Sequence, residues 1–134
     1  NLIKIAYPME FNIEKHDNYT SIQVLAEKLD TNVAPSLKSE LVLISGKGEK
    51  NIIIDLSKVK YCDSNGLSAI LVANRLCKNA GGTFVLTGLN DAVDRLITIS
   101  QLDTVLNIAH SVGEAEEIIK SEEKSRKSGE SEDK

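Results

Sequence analysis

The chain has no tryptophan, and its two phenylalanines and three tyrosines make up only a small aromatic fraction. Any core it builds is therefore aliphatic. Two cysteines, Cys62 and Cys77, are too few for a disulfide framework and too far apart for a zinc site. Cys77 falls on the apolar side of a helical pattern, which fits a reduced thiol in a cytoplasmic protein. Nowhere does an apolar run approach the roughly 20 residues that a membrane-spanning helix needs. Positive charge is not in excess either: 16 Lys and Arg against 20 Asp and Glu leave a net charge of −4. That balance argues against nucleic acid as a partner.

Catalytic signatures are missing as well. Ser45-Gly46-Lys47-Gly48 lacks the G-x-x-x-x-G-K-[ST] spacing of a phosphate loop and follows a helix instead of a strand. Gly46 reads as the C-cap of that helix. A serine nucleophile would need a base, and only His16 and His110 are available, with no G-x-S-x-G elbow. Asp30, Asp55 and Asp63 are the candidates for an acidic metal or phosphoryl site near strand ends. They lack a lysine or histidine partner in a recognisable motif, so Asp30 and Asp63 are read as shaping loops. The expectation is a non-enzyme without metal or cofactor.

What remains is 41% hydrophobic residues in 134, enough for one domain of about 100–120 residues with extensions. The chain starts on Asn1 and its only methionine is Met9, so residues 1–8 read as a leader or as residues added to the natural chain. Leu2-Ile3-Lys4-Ile5 is too short for a signal-peptide core. The domain is expected over 9–120. Beyond Lys120 no large apolar residue occurs, and 121–134 reads as a charged, disordered tail.

Within the domain, Phe11-Asn12-Ile13-Glu14 and Thr20–Ala26 alternate as strands about a turn at Asp17-Asn18, a hairpin at a sheet edge. Leu37, Leu41 and Ile44 make the stripe of a helix with Pro35 in its first turn. The run Ile52-Ile53-Ile54-Asp55-Leu56 suits a strand buried on both faces. A helical pattern spans Leu67–Ala80, closed by Gly81-Gly82, and Thr83–Leu86 is another strand. Strand, helix and strand make a βαβ unit with parallel strands. Asn90 caps a helix carrying Val93, Leu96 and Ile97, Val105–Ile108 is the last strand, and an acidic helix with Ala115, Ile118 and Ile119 follows. The class is α/β: a single domain with a mixed sheet, an N-terminal hairpin first and helices packed on the sheet.

At about 100° per residue, Ala69, Ile70, Val72, Ala73, Leu76, Cys77 and Ala80 fall on one arc of the 67–80 helix and should face the sheet. Leu67 and Leu71 fall among Ser68, Asn74, Arg75 and Lys78. They are candidates for a partner contact, or else lie under a neighbouring loop or helix. Before the helix, Asp63-Ser64-Asn65 offers the short polar side chains favoured at N-caps. A serine there also lies where backbone donors and the helix dipole stabilise an anion. A phosphate on it would add close to two negative charges.

Ile53-Ile54-Asp55-Leu56-Ser57, Tyr61-Cys62-Asp63-Ser64-Asn65-Gly66-Leu67 and Gly81-Gly82-Thr83-Phe84-Val85-Leu86 together resemble the signature of the STAS domain, found in sulfate transporters and antagonists of anti-sigma factors. Leu29-Asp30 upstream, and Val93-Asp94-Arg95-Leu96 through Leu102 downstream, extend the likeness over most of 11–112. Glu27, Asn65 and Gln101 depart from the pattern, standing where the family has glycine, serine and glycine. The resemblance implies an anti-sigma-factor antagonist. Such a protein binds an anti-sigma serine kinase, which carries the ATP, and releases it once the serine matching Ser64 is phosphorylated. A serine phosphatase reverses the step. Asp30, Asp63, Asn65 and Gly66 would surround that site, with Leu67 and Leu71 meeting the partner. An alternative role on the same fold is a scaffold or regulatory subunit of a larger signalling or lipid-transport assembly.

Overall fold

Three successive isoleucines cannot all face one side of a strand, because alternate side chains point to opposite faces. Ile52, Ile53 and Ile54 nevertheless have no accessible surface, so both faces of their strand are covered. The computed structural model describes residues 10–132 and shows how. In chain order the elements are β1 (Phe11–Lys15), β2 (Thr20–Val24), β3 (Lys28–Leu29), α1 (Ala34–Gly46), β4 (Ile52–Asp55), β5 (Tyr61–Cys62) and α2 (Ser64–Asn79). They continue with β6 (Phe84–Thr87), α3 (Asp91–Ile99), a 3₁₀ turn (Leu102–Thr104), β7 (Asn107–Ala109) and α4 (Val112–Glu132).

The main sheet has the order β1-β2-β4-β6-β7. β1 and β2 form the expected antiparallel hairpin at one edge. The remaining neighbours pair in parallel, each joined through a helix. Ile22, Ile52, Ile54, Phe84 and Leu86 pack on one face with Leu37 and Leu41 of α1, Ile70 and Ala73 of α2, and Val93 and Ile97 of α3. Ile53 and Val85 point the other way and meet Tyr19, Ala109, and Ala115 and Ile119 of α4. The mixed α/β sheet read from the sequence is the one observed.

At the N-terminal ends of the parallel strands sits a buried polar residue, Asn51. Its Nδ2 donates to the Asn18 carbonyl at 2.8 Å, and its Oδ1 accepts from the Thr83 amide at 2.8 Å. Its own carbonyl accepts from the Thr20 amide at 3.0 Å. One side chain thus ties the hairpin turn to the starts of β4 and β6, with both of its polar atoms paired where it is buried.

Several boundaries differ from the sequence reading. Gly46 is the last residue of α1 and Lys47 its cap; the positive φ, +92°, belongs to Gly48. The last strand begins at Asn107 because Leu102–Thr104 winds into a 3₁₀ turn. That turn starts from Gln101 at φ +61°, the left-handed region in which a Cβ is costly. The helix after Cys62 begins at Ser64, one turn ahead of the apolar periodicity. Where a charged tail is expected from residue 121, α4 continues to Glu132. Its polar side there takes over from the apolar stripe: Asn18 Nδ2 donates to Glu123 Oε1 at 3.4 Å, and half-buried Arg126 donates from Nη1 to Thr83 Oγ1 at 2.8 Å. The segment 1–8 lies outside the described residues.

Two stability measurements follow from these differences. Gln101→Gly relieves a left-handed Cβ and should stabilise by about 1 kcal/mol, net of the freedom glycine gains in the unfolded chain. The melting temperature should rise by roughly 2–6 °C; no rise would mean that the turn holds Gln101 without strain. Truncation after Lys120 removes the Arg126 bond and should cost about 1–2 kcal/mol in urea unfolding. A free tail would cost nothing.

Candidate functional site

β3 and β5 are each only two residues long, and they pair with one another in a separate parallel ribbon, Lys28 opposite Tyr61 and Leu29 opposite Cys62. This register sets Asp30 and Asp63 side by side, one residue beyond each strand. The two exits carry the same Asp-hydroxyl-Asn pattern: Asp30-Thr31-Asn32 leads into α1 and Asp63-Ser64-Asn65 into α2. They also fold alike. Asp30 Oδ1 accepts from the Asn32 amide at 3.0 Å, and Asp63 Oδ1 accepts from the amides of Asn65 at 2.9 Å and Gly66 at 3.1 Å. Each aspartate satisfies free donors at a chain reversal, as short carboxylates do at helix starts.

The cap of α2 is therefore Asp63, at φ −110° and ψ −172°, and Ser64 is the first helical residue. The Ser64 side chain is exposed and takes no part in the cap. Beside it, Asn65 Nδ2 reaches across to Thr31 Oγ1 at 2.7 Å. Below it, the first turn of α2 lies against β3: a Cβ on Gly66 would come within 2.4 Å of the Leu29 carbonyl oxygen and 2.6 Å of Cys62 Sγ. Only glycine allows that approach.

The helical wheel misplaces Leu67. It is 8% exposed and belongs to the main core with Val33, Leu37 and Leu41, while Leu71 is half-buried against the same cluster. The α1 helix packs alongside α2 and widens the apolar arc on that side. Val72 and Leu76, expected at the centre of the buried arc, are only half-buried. Leu71 alone of the two leucines keeps surface beside the Ser64 turn.

The other polar candidates are not gathered here. Asp55 Oδ1 accepts from the Ser57 amide at 2.9 Å in its own turn. His16 stacks on Tyr19, ring centres 4.3 Å apart, and approaches Ser21 Oγ at 3.4 Å. His110 lines a cleft of about 280 Å³ with Asp91 and Asp94. Among the described residues no three His, Cys, Asp or Glu side chains are grouped to hold a metal ion, and no helix is long and apolar enough to cross a membrane.

The family model of the STAS domain matches residues 10–115. The chain belongs to the STAS domain family. Among similar proteins, the Anti-sigma-B factor antagonist of Bacillus subtilis (strain 168) is 31% identical over 102 residues, covering 75% of this chain and 93% of that protein. Its namesake from Listeria monocytogenes is 32% identical over 101 residues, covering 75% and 88%. The crystal structure of TM1081 from Thermotoga maritima matches with a TM-score of 0.74 at 26% identity, over 82% of this chain and 94% of that one. The STAS match takes in the whole β3–β5 ribbon and both Asp-hydroxyl-Asn exits.

Sequence reasoning missed Thr31 and the ribbon that brings it to Ser64. The signal was present, since Leu29-Asp30-Thr31-Asn32 repeats the character of Cys62-Asp63-Ser64-Asn65 residue by residue. A strand of two residues has no periodicity to reveal it.

Burial, aided by the neighbouring Asp63 charge, pushes the Cys62 thiol up to about 12, and burial does the same for Cys77. Both thiols are poor nucleophiles in the folded protein. Unfolded, each would release its proton near pH 8.5. Their contribution to stability is therefore present in full below about pH 8.5 and is lost as the pH climbs toward 12. The urea midpoint should fall across that interval, and less steeply in Cys62→Ala. An equal slope in the variant would show that Cys62 titrates normally in the fold.

Proposed function

We propose that this STAS domain is an anti-sigma-factor antagonist controlled at Ser64. Unmodified, it binds an anti-sigma serine kinase and so frees a sigma factor. Phosphorylated at Ser64, it lets the kinase go, and a serine phosphatase resets it. ATP and its Mg²⁺ belong to the kinase, and this chain brings neither a cofactor nor a catalytic group. The partner class is supported by the Anti-sigma-B factor antagonists, similar along most of the domain.

The observation that carries the reading is the division of labour at the start of α2. Asp63 does the capping, which leaves the exposed Ser64 hydroxyl available to a kinase without cost to the helix. The position is also electrostatically poised. Helix N-terminal dipoles favour an anion, yet the Asp30 and Asp63 carboxylates flank the same turn. A phosphate would be tolerated by the fold while changing the charge of the face that a partner meets. Asn65, Ser68 and the open side of Leu71 extend that face, whereas Leu67 supports it from within.

Ser64→Asp adds one charge at the first helical position and should alter stability by less than about 1 kcal/mol. Binding to the kinase co-purified from the native cells should fall by far more, because an unpaired charge buried in an interface costs several kcal/mol. Ser64→Ala should bind as the wild type does and resist phosphorylation, and Leu71→Gln should weaken binding without unfolding the domain. Titration calorimetry beside melting curves reads all three. Equal affinity for wild type and Ser64→Asp would remove the switch.

A further inference from the structure

The Asn65–Thr31 hydrogen bond is the one side-chain bond that crosses between the two helix-entry loops among the described residues. It sits at the surface next to Ser64, and both its ends are exposed. Behind it, buried Val33 and Ala34 anchor the far end of the β3–α1 loop in the core, while Thr31 and Asn32 are exposed. The Asn32 amide donates to Asp30 Oδ1, and the Val33 and Ala34 amides donate to the Asp30 carbonyl at 3.1 and 2.7 Å. The backbone bond from the Asp63 amide to the Leu29 carbonyl, at 3.3 Å, is long.

We propose that Thr31 is a positioning residue for the Ser64 switch: through Asn65 it couples the charge at residue 64 to the loop Asp30–Val33. This rests on the reading of Ser64 as the modified residue and adds how the modification is felt at a distance. In the unmodified chain the Asn65 amide donates to a neutral hydroxyl oxygen. A phosphate on Ser64 places anionic oxygens one residue away, with consecutive Cα atoms about 3.8 Å apart. A charge-assisted bond is roughly twice as strong as a neutral one, so the Asn65 amide turns from Thr31 to the phosphate.

Two consequences follow. Thr31 loses its tether to α2. The like charges of the phosphate, Asp63 and Asp30 then meet across a ribbon of two paired residues, and they repel. The loop before α1 loosens while the rest of the sheet, which shares none of these bonds, does not. The face offered to a partner then changes over both helix entries rather than at Ser64 alone. Asn65 is what makes this possible, because a serine there, as in the usual family pattern, has no amide long enough to bridge.

Amide hydrogen exchange on homogeneous protein, with phosphoserine encoded at residue 64, tests the coupling without any partner. Phosphorylated protein should exchange about three- to tenfold faster than unmodified protein at Asn32, Val33 and Ala34, with β4 and β6 unchanged. Thr31→Val keeps the shape and lacks the hydroxyl. It should show the faster exchange already when unmodified, and phosphorylation should add little. Thr31→Ser restores the acceptor and should behave as the wild type. Unchanged loop exchange on phosphorylation would overturn the proposal, as would an equally large effect of phosphorylation in Thr31→Val. If the coupling is found but phosphorylation leaves kinase binding intact, Thr31 keeps its positioning role and the antagonist switch is what falls.

Discussion

β4 is the strand on which the rest of the structure depends. With Ile52, Ile53 and Ile54 wholly buried, an apolar layer is required on each side, and leaving either side in water would cost on the order of 1.5–3 kcal/mol per side chain. The first layer comes from α1, α2 and α3, the helices that make the crossovers between the parallel strands. The second has to be found elsewhere, and α4 supplies it through Ala115 and Ile119. This helix is therefore part of the domain rather than an appendage. Over β1 and β2 the same face carries Asn12, Glu14, Ser21 and Gln23, which water covers adequately.

The site grows out of a smaller constraint. β3 and β5 lie outside the main sheet, and their two residues each pair with one another. That ribbon forces two helices to start side by side and makes Gly66 obligatory beneath them. Their N-terminal dipoles and the paired aspartates, Asp30 and Asp63, set opposing fields around Ser64. The turn is consequently tolerant of an anion and sensitive to it at once. Family membership gives this geometry a context, and the Ser64 hydroxyl lies exposed outside the cap.

Much of this was legible beforehand. The isoleucine run marked the central strand, the glycine pair marked the end of α2 at Gly81, φ +76°, and Asp63-Ser64-Asn65 marked a helix start. Which of the three polar residues would cap was not legible, because aspartate, serine and asparagine are close to equivalent as N-caps. Nor was the burial of Leu67. A helical wheel knows only its own helix, and α1 arrives at the flank of α2 through tertiary packing alone. The continuation of α4 past Lys120 was hidden for a similar reason: its hold on the sheet passes from apolar side chains to Glu123 and Arg126, whose partners, Asn18 and Thr83, are distant in sequence.

The sequence by itself determined the elements long enough to show a period: the central strands, the helices between them and the alternation that buries both faces of β4. It also determined the local chemistry of each Asp-hydroxyl-Asn turn, which needs only neighbouring residues. Tertiary structure decided that the two turns lie abreast, that Asn65 meets Thr31, and that Leu67 belongs to the core. A period records which way a side chain points from its own backbone; it carries no information about what the rest of the chain brings to meet it.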